Sequence, residues 1–256
     1  MQRQIIWQGE TASGNYQVVD GVYDGRPARV LYSGNGRAAQ SGIARDKKPD
    51  LLFDYTQRLL ELAEGYNPKA VLMIGGAAGT LPKALLEMLP QVRVDSIEPD
   101  EGLTKLGYEF FELPVDERFR IFHTDGRTFL REHASRYDMI IVDAFSHATI
   151  PADLTTAEAF AAYRKHLQST GLLAVNIISG YYGESRARVL RELYAAAVHE
   201  FGAADVFLAS RDYSLWLPQN FILAAQCGEP MDVSAYTRGQ PIDSPPLLPL
   251  DYVPRD

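Results

Sequence analysis

One cysteine, Cys227, is all the thiol that this 256-residue chain contains, which excludes an internal disulfide and a zinc cage built of thiolates. Cys227 closes an apolar run and reads as a small buried hydrophobe. The five histidines fall at no metal-ligand spacing, and Ser146 lacks the strand–turn–helix setting of an acyl-transfer nucleophile. Basic residues are in the minority: 25 Lys and Arg stand against 33 Asp and Glu, for a formal charge of −8. That balance argues against nucleic acid and anionic membranes as partners, because phosphate binding needs clustered cations. No window approaches the ~20 apolar residues of a membrane-spanning helix, and Met1–Glu10 has no signal-peptide core. The expectation is a cytoplasmic protein that acts on small molecules and holds no metal.

What is present is an apolar fraction of 46%, enough for a sizeable core, arranged in three textures. Residues 1–48 alternate short apolar pieces (IIWQ, YQVVD, ARVLY) with turn signals at Ser13-Gly14-Asn15, Asp24-Gly25 and Gly34-Asn35-Gly36, the pattern of small antiparallel hairpins. Leu51, Leu52, Tyr55, Leu59 and Leu62 then follow helical spacing. Across 49–228, apolar strands alternate with amphipathic helices. Strands are expected at 71–74, 92–97, 119–122, 139–142 and 172–177, and a long helix over 184–201 leads to two late strands at 206–209 and 221–225. This order implies a parallel sheet covered on both faces, closed by an antiparallel hairpin, which is the layout of the methyltransferase-type, Rossmann-like α/β fold. Residues 229–256 are rich in proline and read as an extended arm.

In an open α/β sheet, ligands bind beyond the carboxyl ends of the strands. The first such end carries Gly75-Gly76-Ala77-Ala78-Gly79, where small residues and a helix N-terminus let backbone approach a ligand; a merely tight turn is the alternative. Glu98 ends the second strand about 20 residues further on, the place from which an acid accepts hydrogen bonds from both ribose hydroxyls. Asp125-Gly126 opens a helix as an N-cap, an adenine contact, or both. Asp143 directly follows Met139–Val142 and is either a proton acceptor at the mouth of the cleft or a cap for the next loop. His147 lies in that loop, as a base or as an ordinary solvated side chain.

Taken in register, these pieces resemble the spermidine synthase (polyamine aminopropyltransferase) family, in its divergent spermidine-synthase-like branch. VLMIGGAAGTLPKALL is similar to the family's glycine motif, DSIEPD to its acidic strand end, HTDGRTFL to its adenine-side motif and YDMIIVDAF to its catalytic strand and loop. The resemblance implies a transferase that moves an aminopropyl group from decarboxylated S-adenosylmethionine to a small amine. It assigns Asp143 as base, and Gln40, Gly75, Gly76, Ala77, Gly79, Glu98, Asp125 and Gly126 as cofactor-binding. It puts Asp54, Tyr55, Ser146 and His147 beside the substrate, and implies a homodimer through the N-terminal hairpins.

Three departures stand out. Ala78 occupies the place of an aspartate that holds the donor's ammonium. Ser146 replaces a second acid in the catalytic loop, and Phe53-Asp54-Tyr55 replaces an aromatic-His-Glu triplet. A diammonium substrate needs several carboxylates, and Asp54 and Asp153 are the candidates to supply them. Two further readings therefore stay open: a methyltransferase using ordinary S-adenosylmethionine, and a nucleotide-binding homologue without turnover.

Overall fold

The computed structural model describes residues 2–34, 36, 38–46, 48–145, 150–183, 185–209 and 217–228. Ser146, His147 and the proline-rich segment 229–256 lie outside the described residues.

Four antiparallel strands open the chain: β1 (Gln4–Thr11), β2 (Gly14–Tyr23), β3 (Arg26–Ser33) and β4 (Ala38–Ala44). The β2–β3 turn has Asp24 at φ 48° and Gly25 at φ 75°, the paired positive φ of a tight hairpin whose twist matches its strands. Helix α1 (Asp54–Tyr66) follows. It begins three residues later than the leucine spacing suggests, because Leu51 bridges antiparallel to Ile43 and extends the small sheet instead.

Strands β5 (Ala70–Ile74), β6 (Arg93–Ile97), β7 (Phe119–Phe122), β8 (Tyr137–Val142), β9 (Leu167–Ser179), β10 (Asp205–Leu208) and β11 (Gln219–Gln226) form one sheet in the order β10-β11-β9-β8-β5-β6-β7. The β7-β6-β5-β8-β9 pairs are parallel, while β11 runs antiparallel to both β9 and β10. The connecting helices are α2 (Thr80–Met88), α3 (Glu101–Phe110), α4 (Gly126–Glu132), α5 (Ala157–His166) and α6 (Arg188–Phe201).

Strand alternation sorts the core. Leu72, Ile74, Ile140, Val142, Leu173 and Val175 pack on one face, under α4, α5 and α6. Val71, Met73, Met139, Ile141, Leu172 and Ala174 pack on the other, against α1 and α2. Both faces are apolar, as a parallel sheet clad on two sides requires. The N-terminal sheet is gripped in the same way, with Val18 and Leu31 toward α3 and Val30 and Ala28 toward Leu52 and Phe53. No helix of the described residues is long and apolar enough to cross a membrane.

Candidate active site

A cleft of about 1010 Å³ opens beyond the carboxyl ends of β5, β6 and β8 and is walled on one side by the N-terminal sheet. Gly75 makes that convergence possible. It sits at φ 82°, and a Cβ there would stand 2.5 Å from the Asp143 carbonyl oxygen. Its glycine identity therefore serves the junction of β5 with β8. Ala77 (φ 43°) and Gly79 (φ 72°) complete the turn, with Gly79 as N-cap of α2.

Glu98 locks this turn from β6. One carboxylate oxygen accepts the N–H of Ala77 at 2.8 Å and of Gly76 at 3.3 Å, and the other accepts the Asp100 N–H at 3.0 Å. Burial pushes its pKa up, against the pull of those three donors. The oxygen that accepts only the Asp100 N–H keeps a free lone pair, and the residue lines the cleft.

Asp100 ties the two sheets together. It caps α3 through the Gly102 N–H (2.8 Å), while its other oxygen accepts the Thr11 hydroxyl (2.5 Å), the Ser13 N–H (2.8 Å) and the Ser13 hydroxyl. Burial would raise its pKa, but the hydrogen bonds from Ser13, Thr11 and Gly102 win and hold it low. Tyr16 is in turn hydrogen-bonded to Ser13, at 2.9 Å. Asp125 caps α4 by accepting the Thr128 N–H at 2.8 Å, which lowers its pKa. Gly126 has no room for a side chain, since a Cβ would meet Ile74 at 2.6 Å.

Asp143 follows β8 directly and lines the cleft. The Val142–Val175 register places it beside Asn176, which donates its amide N–H to the carboxylate at 2.7 Å. Tyr55, from the first turn of α1, donates its hydroxyl to the same carboxylate. Burial dominates both donors and pushes the Asp143 pKa up to about 7. Burial and the Asp143 charge together raise Tyr55 well above the ordinary phenol, so it remains a donor. Phe53 stacks on Tyr55 with ring centroids 5.9 Å apart and planes 10° from parallel, fixing the ring that aims the hydroxyl.

Of the residues singled out in the sequence, Gln40, Asp54, Tyr55, Gly75, Gly76, Ala77, Glu98, Asp125, Gly126, Asp143 and Asp153 all line the cleft. Gly79 does not; it sits one step behind, packed on Leu113. Ala78 is also absent from the lining. It is fully buried among Tyr16, Val18, Leu31 and Leu106, with its N–H on the Ser41 hydroxyl at 3.2 Å. Asn176, Asn220 and Asp100 are cleft residues that motif reading passes over. The signal for Asn176 is an amide inside the buried strand AVNIIS, since a fully buried polar side chain needs a partner. Among the described residues no group of His, Cys, Asp and Glu is arranged to hold a metal.

Residues 53–182 match the family model described as spermine/spermidine synthase domain. A probable polyamine aminopropyl transferase of Bifidobacterium longum is 30% identical over 174 residues, covering 68% of this chain and 37% of that protein. A polyamine aminopropyltransferase of Streptococcus uberis is 32% identical over 148 residues, covering 56% of this chain and 51% of the relative. The chain thus spans between about a third and a half of the length of these curated relatives. Among solved structures, a probable spermidine synthase from Corynebacterium glutamicum superposes with a TM-score of 0.75 at 21% identity, over 87% of this chain and 80% of its own. Human methyltransferase-like protein 13, in complex with SAH, gives 0.57 at 18% identity, over 69% of this chain and 83% of its own. At such identities these likenesses are likenesses of fold.

Proposed function

The chain belongs to the spermine/spermidine synthase family, and from that premise we propose that it transfers an aminopropyl group from decarboxylated S-adenosylmethionine to a small amine, with Asp143 as base. One observation carries this reading: a carboxylate at the end of β8, oriented by two donors, with its pKa lifted to about 7 at the floor of the cleft. A free alkylamine is protonated at neutral pH, with a pKa near ~10, and attacks carbon only once it has lost that proton. In this reading Asp143 takes it, and a base titrating near the working pH is well matched to the task.

The lining supports a cationic pair of substrates. Among the described residues it carries seven carboxylates, from Asp24 to Asp153, and one guanidinium, Arg26. Arg26 is itself paired with Asp46 at 2.7 Å. In this reading Glu98 takes the ribose hydroxyls, Asp125 and Gly126 border the adenine, and Gln40 reaches in from the small sheet. The turn 75–77 brings backbone against the donor. The donor's sulfonium supplies the electron sink: the amine nitrogen bonds to the adjacent carbon, the C–S bond breaks with its electrons going to sulfur, and methylthioadenosine leaves. Alignment of nitrogen and carbon, together with Asp143 for the proton, supplies the catalysis. Homodimerisation through the N-terminal sheet belongs to the same reading, supported by β1 as an edge strand with Ile5 49% exposed.

The test is methylthioadenosine release from the decarboxylated donor with a panel of amines. Turnover that falls about 10²–10⁴-fold in Asp143→Asn is the expected result. No release with any amine would defeat the proposal, and a methylated product from ordinary S-adenosylmethionine would replace it with methyl transfer.

A further inference from the structure

Asp143 does not hold its neighbour Asn176 alone. Asn220, on β11, donates its amide N–H to the Asn176 carbonyl oxygen at 2.9 Å, and Asn176 in turn donates to Asp143 at 2.7 Å. Strand register builds the chain. Asn176 stands opposite Ile222 and Asn220 opposite Ile178, so the two amides are diagonal neighbours on one face of the sheet. Met139, Ile141, Leu172, Ala174, Ile222 and Ala224 occupy that same face, and period-2 alternation carries it on to Asp143, Asn176 and Asn220.

The direction of the chain is set by chemistry. An ionised carboxylate only accepts hydrogen bonds, so Asn176 must turn its NH₂ toward Asp143. Its carbonyl oxygen then points the other way and needs a donor. Asn176 is 1% exposed, so water does not readily serve, and a flipped amide would set its oxygen against the carboxylate. Asn220 supplies the donor that removes this ambiguity.

We propose that Asn220 is a positioning residue, which holds the Asn176 amide in the single orientation that stabilises the ionised, proton-accepting form of Asp143. The proposal rests on Asp143 being the base of the reaction proposed above, although the charge-setting role is measurable without turnover. Tyr55, from α1, is the one titratable side chain among the described residues that acts on Asp143; the remaining influences are burial and Asn176. Removing the donor at 220 releases the amide, weakens support for the anion and raises the pH at which Asp143 ionises.

The experiment titrates Asp143 by its side-chain carboxyl ¹³C shift in the wild type, in Asn220→Leu, which keeps volume without a donor, and in Asn220→Asp, which replaces the donor by an acceptor. The pH profile of methylthioadenosine release is recorded on the same proteins. Expected is an upward shift of about 0.5–1 pH unit for Asn220→Leu, the size of one lost hydrogen bond between neutral amides. A larger shift in the same direction is expected for Asn220→Asp. The double variant Asn176→Leu/Asn220→Leu should shift no further than Asn176→Leu alone, since Asn220 acts through Asn176. An unchanged titration in both Asn220 variants, or shifts that add in the double variant, overturns the proposal. Absent turnover defeats the transferase reading, while the ¹³C titration still decides the role of Asn220.

Discussion

Asn176 and Asp143 are side-by-side neighbours on adjacent parallel strands, joined by an amide-to-carboxylate hydrogen bond of 2.7 Å. The contact is a consequence of register: Val142 pairs with Val175, so the next residue of each strand projects to the same face. Tyr55 closes the site from α1, which packs on that face. A half-buried carboxylate held by two donors differs from a freely solvated surface acid.

Activity should follow the ionisation of Asp143. With its pKa at about 7, kcat should rise with pH through that region and level off above it. A steady-state profile between pH 5.5 and 9 checks this. A profile flat through neutrality would remove Asp143 as the titrating base.

The same group should weaken the fold at alkaline pH. Its folded pKa lies above the ordinary carboxylate value, so the folded state binds the extra proton between the two values. Stability therefore declines as pH rises from about 4 toward 7, and the full penalty holds above that. Asp143→Asn should raise stability by about 1–3 kcal/mol at pH 8, allowing for its opening to the cleft, and by nothing near pH 4. Calorimetric Tm values at the two pH values give the comparison.

Gly75→Ala should damage fold and site together. The new methyl group would meet the Asp143 carbonyl at 2.5 Å and the Ala144 Cα at 2.7 Å, in a backbone conformation that favours glycine. A loss of about 2–4 kcal/mol in urea unfolding is expected, by overpacking plus strain. Wild-type stability in this variant would mean that the two strand ends do not meet as described.

Glu98→Gln should weaken nucleoside binding more than stability. The amide keeps one acceptor for the turn but turns an NH₂ toward a wall of backbone N–H groups. Calorimetric titration with methylthioadenosine should show affinity falling about 10–100-fold, the scale of one or two charge-assisted bonds. Unchanged affinity would confine Glu98 to bracing the turn.

Behind the glycine turn, Lys83 and Asp50 form an ion pair of 2.5 Å, both nearly fully buried. Lys83→Met should destabilise by about 1–3 kcal/mol, because Asp50 loses its buried ammonium and keeps only the exposed Lys48 at 3.1 Å. Adding Asp50→Leu should recover much of that loss. Additive losses in urea titrations would show that the two residues act separately.

Residue order alone carried the alternation of strands and helices, the glycine turn, the acid that follows each strand and the antiparallel closing hairpin, because periodicity and turn chemistry are local. Local spacing failed at Leu51, where a bridge to Ile43 outcompeted the helix. It was equally silent about Ala78, whose burial under the small sheet depends on how that sheet docks. Only the assembled fold brought Tyr55, Asn176 and Asn220 to Asp143, through α1, β9 and β11. Register and packing between segments far apart in the chain decide such meetings, and burial created there, rather than the identity of the acid, moved Asp143 toward neutrality.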